Sequence, residues 1–194
     1  MTRIRFYLGC LLTLGWLLFS CGSNSNEKKL DKPSRKELKE RIKVMEDSLK
    51  KLQSNLATIK QIPNLTHYEL INRLLDYYHF YPEDEFSAEC LDKVHMKYTG
   101  LNIPSKAAEY ADTLLQKYPR YPNRALVLES QGSTFDAFVQ PRDTSKVRYY
   151  YELLLKENPT MNKQKCLEIK ERLRHLSLTF DQYIEFKMNS VPLQ

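Results

Sequence analysis

The chain is poor in glycine. Of its five glycines, Gly9 and Gly15 lie in the first apolar run and Gly22 just beyond it, so only Gly100 and Gly132 serve the body. Loops that cradle phosphates need several glycines close together, so nucleotide folds of that kind are excluded. Long apolar runs are also missing. The principal one, Phe6 to Phe19, has 14 residues, whereas a helix needs roughly 20 to cross a bilayer. The four histidines, His67, His79, His95 and His175, have no chelating spacing on a helix, and HExxH, CxxC and GxSxG are absent. These absences point away from an enzyme and away from a metal or other cofactor.

What is present reads as helix. Long amphipathic patterns with few glycines predict an all-α protein. Thirty lysines and arginines face 24 acids; removing Arg3 and Arg5 with the leader lowers the net charge from +6 to +4. The remaining bases are interspersed with acids, which does not make a nucleic-acid footprint.

"MTRIRF" is basic and precedes the short apolar run, which ends in small polar residues. That order predicts a secretory signal peptide over residues 1–20, in preference to a short buried helix or a signal anchor. The run closes on "LFSC", Leu18 to Cys21, which resembles the lipobox of bacterial lipoproteins. The resemblance implies cleavage between Ser20 and Cys21 and a lipid on Cys21, which holds the protein to a membrane without a spanning helix. Gly22, where an aspartate would favour inner-membrane retention, implies the outer membrane; the periplasmic side is expected over the cell surface. Residues 21–33 are polar and aperiodic and predict a flexible tether.

A helix is expected over 34–62. Ser34 and Glu37 have capping-box spacing, and Pro63 ends the pattern. Leu38, Ile42, Met45, Leu49, Leu52, Leu56 and Ile59 alternate steps of four and three, a heptad seam. Two readings stay open: a coiled-coil stalk that makes a homo-oligomer, or an amphipathic helix folded back on its own domain.

The rest repeats with a shift of 40 residues: "LLDYYHFYP" (74–82), "LLQKYPRYP" (114–122) and "LLLKENPTM" (154–162) align. Leu74, Leu114 and Leu154 coincide, as do Tyr81 and Tyr121. Prolines stop the helices. Between the stops lie helical pairs at 84–98 with 105–118, at 123–139 with 144–157, and a final pair from Met161 to Met188. Such units bury their faces by stacking on neighbours, which gives a solenoid.

"SKAAEYADTLLQKYP" resembles the second helix of a tetratricopeptide (TPR) repeat, with small Ala107 and Ala111 and a closing Pro119. "QGSTFDAFVQPRDTSKVRYYYELLLKENP" resembles most of another, with Gly132 and Phe135 at the family's small and aromatic positions. The pattern over 66–189 is similar to TPR lipoproteins of Gram-negative outer membranes, including the outer-membrane-assembly type; residues 190–194 form a tail.

That resemblance implies a protein–protein scaffold or adaptor that binds another envelope or outer-membrane protein. The first helix of each repeat then lines a groove. Glu129, Ser133 and Asp136 share one face by i, i+4, i+7 spacing, and their counterparts 40 residues earlier are Glu89, Lys93 and Met96. The alternative is an oligomeric structural spacer built on the 34–62 coiled coil. The thirteen tyrosines are read as packing between helices in preference to a recognition surface. The acids of "PEDEF" are read as a helix start, and Lys163 to Arg174 as a solvated face. Cys90 and Cys166 could pair in an oxidising compartment, but both lie in apolar helical patterns, which favours two buried thiols.

Overall fold

Three turns with the same hydrogen bonds organise the molecule. In the computed structural model, which describes residues 32–54 and 64–190, the N–H groups of Tyr81, Tyr118 and Asn158 close onto Tyr77, Leu114 and Leu154 at 2.9 to 3.1 Å. Tyr118 (φ −124°, ψ 68°) and Asn158 (φ −125°, ψ 64°) leave their helices with the same backbone. Pro119 and Pro159 follow them and cannot continue a helix. Leu74, Leu114 and Leu154, the repeated leucines, are each fully buried. The buried leucines keep the 40-residue period throughout, and the turn keeps it after Leu114 and Leu154; α2 runs on past Leu74 to Phe80, so its turn at Tyr81 falls later, before Pro82.

The described residues contain eight α-helices, one π-helical turn and no strand, so the fold is all-α. The helices are α1 (Arg35–Ser54), α2 (Asn64–Phe80), α3 (Glu85–Gly100), α4 (Pro104–Lys117), α5 (Arg124–Ser133), α6 (Thr144–Glu157), α7 (Lys163–Arg174) and α8 (Phe180–Ser190), with the π-helical turn at Thr134–Phe138. Of the expected pairs, α3 packs on α4, and α5 with the π-helical turn on α6, whereas α8 packs on the π-helical turn and meets α7 through the Lys187–Glu171 ion pair. Consecutive helices from α1 to α2 and from α2 through to α7 pack on one another.

Polar contacts skip along the chain in two rows. Lys93 of α3 donates to Glu46 of α1 at 2.7 Å, and His95 of α3 meets Ser130 of α5 at 3.1 Å. In the second row Lys117 of α4 donates to Tyr78 of α2 at 2.6 Å, and Tyr150 of α6 donates to Asp112 of α4. Gln131 joins the rows, donating to the Ala108 carbonyl at 3.0 Å from a fully buried position. Each such bond contributes about 1 kcal/mol, but each also fixes the register between helices that apolar contact alone leaves free to slide.

The seam of α1 is occupied inside its own chain. Leu38, Ile42 and Leu49 are buried against Leu70, Ile71, Leu74, Cys90 and Val94 of α2 and α3. Burial of each large side chain contributes about 1.5–3 kcal/mol, so α1 is held by its own domain from Leu38 to Leu49. Of the capping box one half forms: the Glu37 N–H donates to Ser34 Oγ at 3.2 Å, while the Glu37 carboxylate pairs with Arg41 at 2.6 Å. Leu56 and Ile59, the signal region, Cys21 and residues 191–194 lie outside the described residues.

"PEDEF" is a helix start. Asp84 caps α3 by accepting from the Phe86 N–H at 3.0 Å. Asn102, at φ 57°, turns the chain from α3 into α4, where Pro104 takes a first-turn position that needs no N–H. Most tyrosines pack as expected: Tyr77, Tyr78, Tyr150, Tyr151 and Tyr183 are buried, and Tyr98 stacks on Tyr110 with centroids 5.5 Å apart. Tyr68 and Tyr149 remain exposed. Cys90 and Cys166 are free thiols, the first buried and the second half-buried.

Candidate functional site

Glu129, Ser133 and Asp136 converge on one cleft, as their spacing predicts. It is a cavity of about 250 Å³ between α5, α6 and the final helix pair. Ile169, Phe180 and Tyr183 supply apolar surface, and Tyr151 contributes its ring and hydroxyl. The rim is polar. Lys165 of α7 pairs with Glu129, and Ser133 Oγ lies 3.2 Å from the Tyr151 hydroxyl. Burial pushes the Tyr151 phenol up, so it stays neutral and acts as a hydrogen-bonding group.

Tyr151 reaches the cleft because Gly132 lets it. A Cβ built on Gly132 would overlap the Tyr151 ring, so α5 and α6 meet closely at that glycine.

Asp136 behaves differently from its two neighbours. It is buried, and its carboxylate is surrounded by arginines. Arg172 donates from Nε to Oδ2 at 2.6 Å and from Nη2 to Oδ1 at 2.7 Å, and Arg142 donates from Nη2 to Oδ1 at 2.7 Å. Arg172 also bonds the carbonyls of His175 and Leu178 at 2.7 and 3.0 Å, and its guanidinium lies 4.7 Å from the Tyr183 ring centroid. The expectation that Asp136 meets a partner directly is therefore corrected: it forms the floor of the cleft and ties α7 to the π-helical turn. The chain leaves this segment by a wider turn, in which the Val139 N–H donates to the Thr134 carbonyl at 3.0 Å, a five-residue span.

The second trio does not join the cleft. Glu89 is exposed on α3, Lys93 is bound to Glu46, and Met96 is exposed. The two trios do not share a cavity, and Met96 is exposed where its counterpart Asp136, on the π-helical turn, is buried. Lys165, Glu168, Ile169 and Arg172 line the cleft from a stretch that reads in sequence as a solvated face. Only Ile169 at an apolar period was a signal for them. A shallower depression, about 550 Å³, lies beside Arg142, Arg148, Tyr149 and Glu152. Its arginines pair as well, Arg142 with Asp136 and Arg148 with Glu152.

Sequence reasoning also missed a polar chain between α3 and α5. His95 is buried, with Nδ1 3.2 Å from Asp92 Oδ1 and Nε2 3.1 Å from Ser130 Oγ. A carboxylate can only accept, so Nδ1 carries the proton and Ser130 donates to Nε2 in the neutral ring. The Tyr121 hydroxyl donates to the other Asp92 oxygen at 2.8 Å. Burial pushes the Asp92 carboxyl up, but the bonds from His95 and Tyr121 outweigh it and hold it below the usual carboxylate range. Serine, histidine and aspartate here have the order of a nucleophile, base and orienter. Ser130, however, lies inside α5, where the helix ladder consumes the backbone N–H groups that would stabilise an oxyanion. The chain of bonds serves to pin α3 to α5.

Burial pushes the Cys90 thiol up to about 12, which keeps it protonated and unreactive. Among the described residues, no three His, Cys, Asp or Glu side chains group as a metal ligand set, and no helix is long and apolar enough to cross a membrane. The chain matches no protein-family model, no curated protein and no solved structure.

Proposed function

We propose that this protein is a lipid-anchored scaffold or adaptor of a Gram-negative cell envelope. In this reading it captures a segment of another envelope protein through a short TPR-like solenoid. The repetition of the buried leucines Leu74, Leu114 and Leu154, with the same turn after the last two, carries the reading. Stacked helix pairs of this kind present their first helices side by side. The cleft between α5 and the last helices offers such a surface: concave, with apolar walls from Ile169, Phe180 and Tyr183 and polar groups at its rim and floor. Lipidation of Cys21 places the scaffold at the outer membrane, with no catalytic step, cofactor or nucleic acid involved.

The test is capture from detergent-solubilised membranes after reversing charge at Glu89 and Glu129, singly and together. Loss of a stoichiometric partner with Glu129→Lys, in a protein that keeps its helicity, is the expected result. Undiminished capture by the double variant removes the groove. The competing spacer reading requires the 34–62 seam to be free for another copy, and Leu38, Ile42 and Leu49 are already buried within the chain.

A further inference from the structure

Two arginines share one acid. Arg142 and Arg172, whose side chains are 14 and 6% exposed, both pair with the buried Asp136 carboxylate, and among the described residues no other acid lies within ion-pair distance of either. One positive charge is left over where water screens it poorly. The two guanidiniums face different sides, Arg172 the cleft and Arg142 the depression of about 550 Å³. They also differ in how far their donors are used. A guanidinium has five N–H groups. Arg172 uses four, two on Asp136 and two on the carbonyls of His175 and Leu178. Arg142 uses three, Nε and Nη2 on Asp136 Oδ1 and Nη1 on the Leu176 carbonyl at 2.9 Å. One N–H on each of its Nη atoms therefore has no partner among the described residues.

The depression around Arg142 suits an anion. Arg148 lines it as well, and Thr144, Ser145 and Ser177 add hydroxyl groups. Among the described residues Glu152 is the one acid on its wall, 3.5 Å from Arg148 with both side chains more than half exposed. An exposed pair of that kind is weak and readily exchanged. The end of α6 plays no part, because the N–H groups of Ser145 and Lys146 already donate to Asp143 at 3.1 Å.

We infer that this depression binds a phosphate-type oxyanion, either free phosphate or the terminal phosphate of a monoester. A phosphate group carries a charge of about −1.5 to −2 and three strong acceptor oxygens. It offsets the surplus charge on the Arg142 side and that of Arg148 as Arg148 leaves Glu152. Two arginine forks and nearby hydroxyls supply donors for all three oxygens. A carboxylate brings one charge and two oxygens and leaves part of this set unmatched. The inference depends neither on the proposed groove nor on the lipid anchor.

The test is calorimetric titration of the full chain, in mild detergent at physiological ionic strength, with inorganic phosphate, glycerol phosphate and acetate. Saturable binding of a phosphate compound is expected, the tighter of the two naming the source. Arg148→Gln should weaken it roughly tenfold. Arg142→Lys keeps the charge beside Asp136 but not the fork, and should weaken it at least as much. Glu152→Gln should strengthen it about twofold or more by releasing Arg148, a gain that a damaged fold does not produce. Glu85→Gln, the same charge change on α3, should leave it unaltered. Absence of saturable binding at millimolar phosphate overturns the inference. So does binding indifferent to Arg148→Gln and Arg142→Lys, an equal gain from Glu85→Gln, or acetate binding as tightly as phosphate.

Discussion

Arg172 on α7 and Asp136 on the π-helical turn form a two-pronged ion pair whose side chains are 6 and 1% exposed. The pair joins segments 36 residues apart in sequence and sets the distance across the cleft. Removing one partner leaves an uncompensated buried charge, at about 3–5 kcal/mol. Asp136→Ala abandons both Arg172 and Arg142. It is expected to lower the unfolding free energy by that amount, read as a fall in the urea midpoint, and to detach α7 and α8, visible as selective loss of amide protection there.

Gly132→Ala should destabilise, although alanine is ordinarily better than glycine inside a helix by roughly 0.5–1 kcal/mol. The new methyl group would meet the Tyr151 ring, and overpacking of this kind costs about 1–3 kcal/mol. A double variant with Tyr151→Leu should recover much of the loss. Strict additivity in thermal melts would show that the glycine has another role.

The Asp92 carboxyl is held below its ordinary range in the folded chain. A depressed acid contributes stability that is present above its unfolded value, about 3.9, and that is lost as pH falls through the folded value. Tyr121→Phe removes one of the bonds that lower it. The variant should lose less stability than the parent as pH drops from about 4 towards the folded value. Identical acid titration curves of the urea midpoint would show that the bond does not matter.

Cys21→Ser should release the protein from membranes or stall it as the unprocessed precursor, since the lipidated thioether would have no sulfur to form on. Detergent partitioning of the variant, with its N-terminal residue determined, is the measurement. A mature, membrane-bound Cys21→Ser protein would falsify the anchor.

Helix content and repeat were legible because local rules produce them. The stop after Tyr118 follows from Pro119, the start of α3 from Asp84, and the match of Leu114 with Leu154 from a period that any reader of the chain can count. Glu129 and Ser133 were placed on one cleft by helical geometry alone. Asp136 reached the same cleft by that spacing, but its burial under Arg142 and Arg172 was not legible, because both partners come from other segments of the chain. His95 reads as an ordinary interface histidine. Its bonds to Asp92 and Ser130 depend on where α5 crosses α3, which spacing within one helix does not report.

The amino-acid order by itself determined an all-α chain, the 40-residue period, the helix caps and proline stops, and the sharing of one face by Glu129 and Ser133. Each depends on contacts within a few residues or on a repeat of such contacts. Only the tertiary structure decided that the α1 seam is buried by its own domain and that Asp136 serves two arginines. A helical period specifies an apolar face but not what covers it. That choice depends on burial and charge pairing between distant segments, where removing water from an ion pair or an isoleucine changes the energy by more than any local propensity.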